Sequence, residues 1–449
     1  MKNLRFSVIS KSDKVSLVSI ILLSAFIIIF ETPIVSRNIP NVIFYGLMAV
    51  LLLLNVNVFL KTSKRNKLIL LVTAAFVVLF TVYKVLKISS SGLSYYSTTV
   101  KFLLLATILI VYYDILSPKQ KCFLLNLTVV AVIVNLIENL RLYFKYGPFR
   151  FVYLFQRRRF TTNSVSTMYV TAVFFFSAAL FVYFLHTDKK KPAKWISLIL
   201  SVFMFFFCVA IAQRTIILLL GMIMFPLLIV ANAKNKRQFF IILATFTVII
   251  VLLWLFYKDI LTGFAKLTRS SRIQTRVDQL ISYLSSGGAE AFEGSGAARM
   301  DRIMTSVHTW LSSPVKFFFG AGDHRGSYDI IGNHSQIVDE FAKYGLIGGL
   351  LMLYIIWLYF KHIAKSVKTV ISNPLFRQLL IIFFIIFIRA CIGGIFEPVV
   401  GVQLFLIIPF IFEILEKRKE EKIKTADDVT GNDLKPVHKK GKKDGNINL

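Results

Sequence analysis

The sequence predicts an all-α, polytopic membrane protein of about twelve transmembrane helices, with one large extracytoplasmic loop. Three observations carry that expectation. Hydrophobic residues fill 56% of the 449 positions, more apolar surface than a soluble fold can hide. That content, including 43 phenylalanines, comes in successive runs long enough to cross a bilayer. The net charge of +30 sits in short clusters between those runs. Cytoplasmic loops are marked in this way, whereas a nucleic-acid surface gathers its charge on one face, so no nucleic acid is expected as a partner.

The basic N-terminus MKNLRFSVISKSDK leads into an apolar run with no small-residue cleavage site, and this reads as a retained first span. Spans are expected near 15–35, 39–60, 68–88, 100–116, 122–144, 165–186, 195–212, 215–232 and 239–257, which together make up a first block, 1–257. A long outer loop, 258–337, follows. Three more spans, near 338–360, 378–397 and 399–415, complete a second block, 338–415. The basic tail 416–449 is polar and expected to be disordered. Every short loop that is inside when the N-terminus is inside is basic, as at Lys61/Lys64/Arg65/Lys67, Lys189/Lys190/Lys191/Lys194 and Lys361/Lys365/Lys368/Arg377. Both termini are therefore expected in the cytoplasm. Cys122, Cys208 and Cys391 form no CxxC pair, which excludes a cysteine-built zinc site or disulfide framework.

Charges that break the pattern are the ones with chemical interest. The outer segment 145–164 carries Arg157, Arg158 and Arg159, and Arg214 sits at the tight outer turn AQRT. Arginine forks onto phosphate in a bidentate way that lysine cannot match, so these positions are candidates for a lipid phosphate. Arg389 lies within an apolar span, where a charge faces a cavity or a partner; it is a candidate for a substrate path. Arg141 has Glu138 one turn away and is expected to pair with it.

Within the outer loop, Arg269, Arg272 and Arg276 make a stripe expected on an interfacial helix. A second helix, near Ala297–Leu311, places Arg299, Arg302 and Ser306 on one face, and Pro314 is expected to stop it. His308, His324 and His334 follow, but no HxH or HxxxH spacing supports a metal. Gly320 and Gly322 form a turn whose N–H groups are either anion donors or simple loop geometry. No P-loop appears, which argues against an ATP-driven pump. A transfer from a lipid diphosphate needs a base near the attacking hydroxyl and positive charge around the leaving diphosphate. His334 suits the first role by its ordinary pKa, and a helix cap is the competing reading of the same residue.

The order of these features carries a resemblance. AQRT with Arg214 is followed by a long outer loop holding Arg-x-x-Arg, Trp310, Pro314 and FFGAG; His334 then stands eleven residues before the first glycine of GLIGG. This resembles the O-antigen ligase and O-antigen polymerase superfamily of bacterial membrane glycosyltransferases, and RRRFTTNSVS is similar to that family's arginine-then-asparagine stretch. The resemblance implies a GT-C type enzyme in the bacterial plasma membrane with its site at the outer face. Its partners would be an undecaprenyl-diphosphate-linked glycan donor and acceptor, membrane lipids and a chain-length regulator, with no cofactor and no metal. It implies His334 as the acceptor-activating base. Arg214 and Arg299 would hold the diphosphate, supported by Arg302 and the 157–159 arginines. Ser335 and Lys343 stand where ligases carry Asn and Glu. Asp339, five residues after the histidine, is more similar to the polymerases and joins Arg389 as a substrate-path candidate. The expectation is a polymerase joining repeat units, with a ligase and a lipid-linked oligosaccharide flippase as the alternatives.

Overall fold

The computed structural model describes residues 17–32, 40–54, 64–86, 93–156, 167–188, 191–211, 215–233, 297–322, 329–332 and 334–432, with isolated positions between 237 and 281. Among them the chain is helical and contains no strand. In order the helices are α1 (Leu17–Glu31), α2 (Asn41–Leu54), α3 (Lys64–Val85), α4 (Leu93–Ile115), α5 (Pro118–Gln156), α6 (Thr167–His186), α7 (Pro192–Phe206) and α8 (Thr215–Ala231). After the long loop come α9 (Ala297–Leu311), α10 (Pro314–Phe319), α11 (Gln336–Ile363), α12 (Pro374–Cys391), α13 (Pro398–Val402) and α14 (Ile408–Asn432). Seven of these segments are long and apolar enough to cross a membrane, and three shorter ones are equally apolar, so the chain is a membrane protein.

The sequence sets the ends. Proline opens α7, α10, α12 and α13 at their first turn, where its missing N–H costs nothing and its fixed φ is already helical. Pro314 thus starts α10; α9 has already ended at Leu311. Ser313, Ser335 and Asn373 cap α10, α11 and α12 by accepting from the first-turn N–H groups. Two π turns interrupt the ladder, Phe207–Ile211 after α7 and Gln403–Ile407 between α13 and α14.

The helices sort by what surrounds them. α4 is apolar on all sides and buried from Phe102 to Tyr113 on nearly every residue, as a central helix must be. α6 and the α13–α14 rod pack around the same centre. α3, α5 and α7 present exposed leucine, valine and isoleucine, the faces that meet lipid. At 39 residues α5 is about 58 Å long, well beyond a hydrocarbon core of about 30 Å. It absorbs residues up to Gln156 that the sequence reading left in an outer loop.

Among the described residues, the segments expected as cytoplasmic loops meet at one end of the bundle. There Asn66 Nδ2 donates to Asp114 (2.8 Å), which also pairs with Lys365 (2.9 Å). Lys121 pairs with Glu413 (2.7 Å), and Arg377 donates to the carbonyls of Ala231 and Ala233 that end α8. Asp114, Lys121, Lys365 and Glu413, with Lys368, Glu416 and Glu420, line an open basin of about 410 Å³. The tail departs from its expected disorder: α14 continues to Asn432. Lys368–Glu420, Arg418–Tyr183 and Lys419–Asn373 contacts hold the part just past the bundle, so the helix already formed by the span propagates outward.

The opposite end carries α9 and α10. Tyr83, near the end of α3, donates its hydroxyl to the Phe319 carbonyl, and Tyr344 of α11 packs on Phe80 and Tyr83 at 5.2 Å each. α10 therefore sits where α3 ends. Its Val315, Phe318 and Phe319 are exposed, as are Ile347 and Leu350 on α11. Exposed apolar side chains at one end of an apolar bundle suit the boundary between lipid and water. Tryptophan placed at Phe318 in reconstituted protein is expected to be quenched by lipids brominated near the headgroup; an unquenched emission would put α10 in water.

Candidate functional site

The site is built on one face of α9. Arg302, Ser306 and Thr309 follow at i, i+4 and i+7. Each holds the short segment that precedes α11. Thr309 Oγ1 donates to the Ile330 carbonyl (2.6 Å). Gly332 donates its N–H to Ser306 Oγ (2.9 Å), and Ser306 Oγ donates in turn to Asp339 Oδ1 (2.6 Å). Asp339 Oδ2 accepts from the Ser335 N–H (2.9 Å), and Ser335 Oγ accepts from the Val338 N–H (3.1 Å). A carboxylate at the start of a helix is favoured there by the helix field as well as by these bonds. Asp339 therefore anchors the segment through both of its oxygens. Gly332 is glycine because the loop lies against the α9 backbone: a Cβ would run into the Arg302 carbonyl.

His334 stands between the two pinned residues, Gly332 and Ser335. Its Nε2 meets Arg302 Nη1 at 2.7 Å. A guanidinium only donates, so Nε2 is the acceptor and the neutral ring carries its proton on Nδ1. Both side chains are partly exposed. Below them lies a buried polar layer. Gln336 Nε2 donates to Glu340 Oε1 (2.8 Å), and Lys343 stands 4.0 Å from the same oxygen. The Gln336 N–H donates to the Gly393 carbonyl (3.2 Å), and the Arg389 guanidinium lies over Gly393, leaving no room there for a Cβ. Arg389 is thus buried at the same end as His334, on the neighbouring helix.

The frame beneath is a backbone clasp. Gly345 interrupts α11 with φ 65° and ψ −166°. That break frees the carbonyls of Ala342 and Lys343, which accept from the N–H groups of Ala321 (2.8 Å) and Gly322 (2.9 Å). All three N–H groups of the 320–322 turn are thus occupied, Gly320 on the Lys316 carbonyl (2.8 Å) at the end of α10 and the other two in closing the broken helix. Trp310 completes the frame: its Nε1 donates to the Phe317 carbonyl (3.0 Å), and its ring lies on Phe317 and Phe341, at 5.4 and 4.8 Å.

Of the residues singled out from the sequence, the fold brings together His334, Arg302 and Asp339, with Arg389 beside them. Arg157, Arg158, Arg159, Arg214 and His324 lie outside the described residues, as does the stripe Arg269/Arg272/Arg276. Arg299 lies on α9 one turn before Arg302, its side chain also outside the described set. His308 is on the exposed side of α9, and no group of three metal-ligating side chains forms among the described residues. Arg141 pairs with Glu138 through two bonds of 3.0 and 2.9 Å, as its spacing predicts.

Ser306, Gly332 and Thr309 were not read as site residues in their own right. Ser306 and Thr309 carried a signal only as a face shared with Arg302, and Gly332, off that helix, carried none. A second buried polar group also escaped the sequence. Glu31, at the end of α1, is fully buried and accepts from Gln403 Nε2 (2.7 Å) at the start of a π turn. Its one clue was an acidic residue inside an apolar span.

A scan of protein-family models and a search of curated proteins gave no match to this chain.

Proposed function

We propose that the chain is a membrane glycosyltransferase that polymerises bacterial polysaccharide from repeat units carried on undecaprenyl diphosphate. The observation that carries this reading is the Arg302–His334 pair, held at one end of an apolar helix bundle by a hydrogen-bonded frame. A base and a phosphate-binding cation within hydrogen-bond reach are what such a transfer requires.

In the proposed reaction the acceptor hydroxyl loses its proton to His334, and its oxygen attacks the anomeric carbon of the donor. The bond from that carbon to the diphosphate oxygen breaks, and the diphosphate leaves with the electron pair. Arg302, with Arg299, Arg214 and the 157–159 cluster as further candidates, takes up the charge. A single displacement of this kind inverts the anomeric centre. Arg389 and the Glu340–Lys343 layer lie buried at the same end of the bundle, as charged support for the site.

The same reading places the site outside the cell and the basic end in the cytoplasm, following the lysines. α8 ends at the basic end, whereas α9 and the start of α11 stand at the other. In this reading the apolar sequence 239–257 supplies the crossing that joins them, for twelve crossings in a GT-C type arrangement. In intact cells, a cysteine-free protein carrying His308→Cys is expected to react with an impermeant maleimide, and Lys368→Cys is expected to be protected. The opposite labelling would invert the orientation.

The decisive assay supplies proteoliposomes with a lipid-diphosphate-linked repeat unit and resolves the products by length. A ladder that persists with chelator present supports a metal-independent polymerase. A single added unit on a foreign acceptor would identify a ligase. Movement of the lipid-linked unit across the bilayer without a ladder, lost on Arg389→Gln, would identify a flippase.

A further inference from the structure

We infer that Arg302 and His334 form an anion-opened latch: Arg302 caps the lone pair of His334 in the empty site, and a diphosphate releases it by recruiting the guanidinium. The inference rests on the glycosyl-transfer reading but concerns a property of the empty protein.

The argument begins with the lone pair. A base must present an unoccupied nitrogen to the hydroxyl it deprotonates. In the neutral imidazole that nitrogen is Nε2, because Nδ1 holds the proton, and Nε2 is 2.7 Å from Arg302 Nη1. The cationic donor occupies the position that the substrate proton must take. As long as the pair is closed, His334 cannot act.

The backbone leaves a single way to open it. Gly332 is bonded to Ser306, and Ser335 to Asp339, which is itself bonded to Ser306. His334 is therefore pinned from both sides to α9. Arg302 sits on that same rigid helix, its backbone pressed against Gly332. Only the two side chains are left to move, and the guanidinium is the longer and more adaptable of them. A diphosphate offers several anionic oxygens to a fork-shaped donor, in place of one neutral nitrogen. Charge-assisted bonds to phosphate outcompete the neutral acceptor, so the guanidinium turns to the anion and Nε2 is uncovered. The incoming hydroxyl then finds Nε2 open, and its proton converts the ring to an imidazolium that faces the departing phosphate. The base is exposed only when a leaving group is present, which keeps the empty site from engaging a lone acceptor.

The test is the rate at which diethyl pyrocarbonate acylates His334, followed by mass spectrometry on the purified full-length protein. The reagent reacts with an imidazole nitrogen that has a free lone pair. Inorganic pyrophosphate is the probe, with chloride at equal ionic strength as its control. In wild type, pyrophosphate is expected to raise the rate roughly tenfold, the effect of losing one charge-assisted bond, and chloride to leave it unchanged. Arg302→Met keeps the apolar stem without the donors. It is expected to react at the raised rate with or without pyrophosphate. A wild-type rate equal to that of Arg302→Met, or one that pyrophosphate lowers or leaves alone, would overturn the latch. These outcomes are independent of the product ladder. A ladder with an anion-insensitive His334 defeats the latch alone, and an anion-sensitive His334 with no ladder defeats the polymerase alone.

Discussion

His334→Ala is expected to lower chain elongation by roughly a hundred- to ten-thousandfold, the range that a positioned general base contributes. The protein should remain folded, because the bonds that organise the site come from its neighbours. Ser306, Asp339, Ser335 and Gly332 hold the segment without using the imidazole. Expression and thermal unfolding in detergent should match wild type, while the product gel loses its ladder. A variant that keeps its ladder would remove His334 from the chemistry and leave it as a packed residue before α11. Ser306→Ala separates the two kinds of role. It deletes the hydroxyl that links Gly332 to Asp339, so the base is still present but no longer held. A fall in kcat that spares KM is the expected signature, with partial recovery in Ser306→Thr, which restores the hydroxyl.

Gly345→Ala is expected to cost at least about 2 kcal/mol of stability, from the left-handed backbone and the clash together. At φ 65° a side chain is strained wherever it points, and here a Cβ would also enter the carbonyl of Phe318. Either α11 straightens through the break or α10 is pushed off. Straightening would withdraw the Ala342 and Lys343 carbonyls into the helix and orphan the N–H groups of Ala321 and Gly322. Both outcomes loosen the frame that carries the site. Gly46→Ala is the matched control: Gly46 lies within α2, with open space where its Cβ would stand. There the substitution should be neutral or stabilising by about 0.5–1 kcal/mol. A melting temperature of Gly345→Ala that matches Gly46→Ala would show that the clasp at Gly345 does not hold this end together.

The two substitutions also mark where sequence reasoning reached its limit. His334 was singled out by residue type and by its place before an apolar span. Gly345 was noticed only as the first glycine of a motif. Its purpose depends on Phe318, which comes much earlier in the chain and whose approach no local pattern announces. The two readings of the 320–322 turn stay open in the sequence for the same reason. A glycine-rich turn with exposed N–H groups and one whose N–H groups close another helix have the same sequence.

What the sequence determined by itself is the fold class, the apolar helices and their order. Hydropathy and span length are local properties, and in a bilayer the backbone must satisfy its own hydrogen bonds, so an apolar run has little choice but a helix. The Arg141–Glu138 pair and the shared face of Arg302 and Ser306 are equally local, and each was legible. Tertiary structure alone decided which of many arginines meets His334. Arg302 is 32 residues away from it and reaches it only because α9 is clamped to α11 by Trp310, Ser306 and the broken helix at Gly345. It also decided that Asp339 ties the segment to α9, and that the described start of the tail, up to Asn432, stays helical. Those outcomes depend on which faces of distant segments pack together, and a carboxylate or a glycine has the same local signature whichever partner it finally meets.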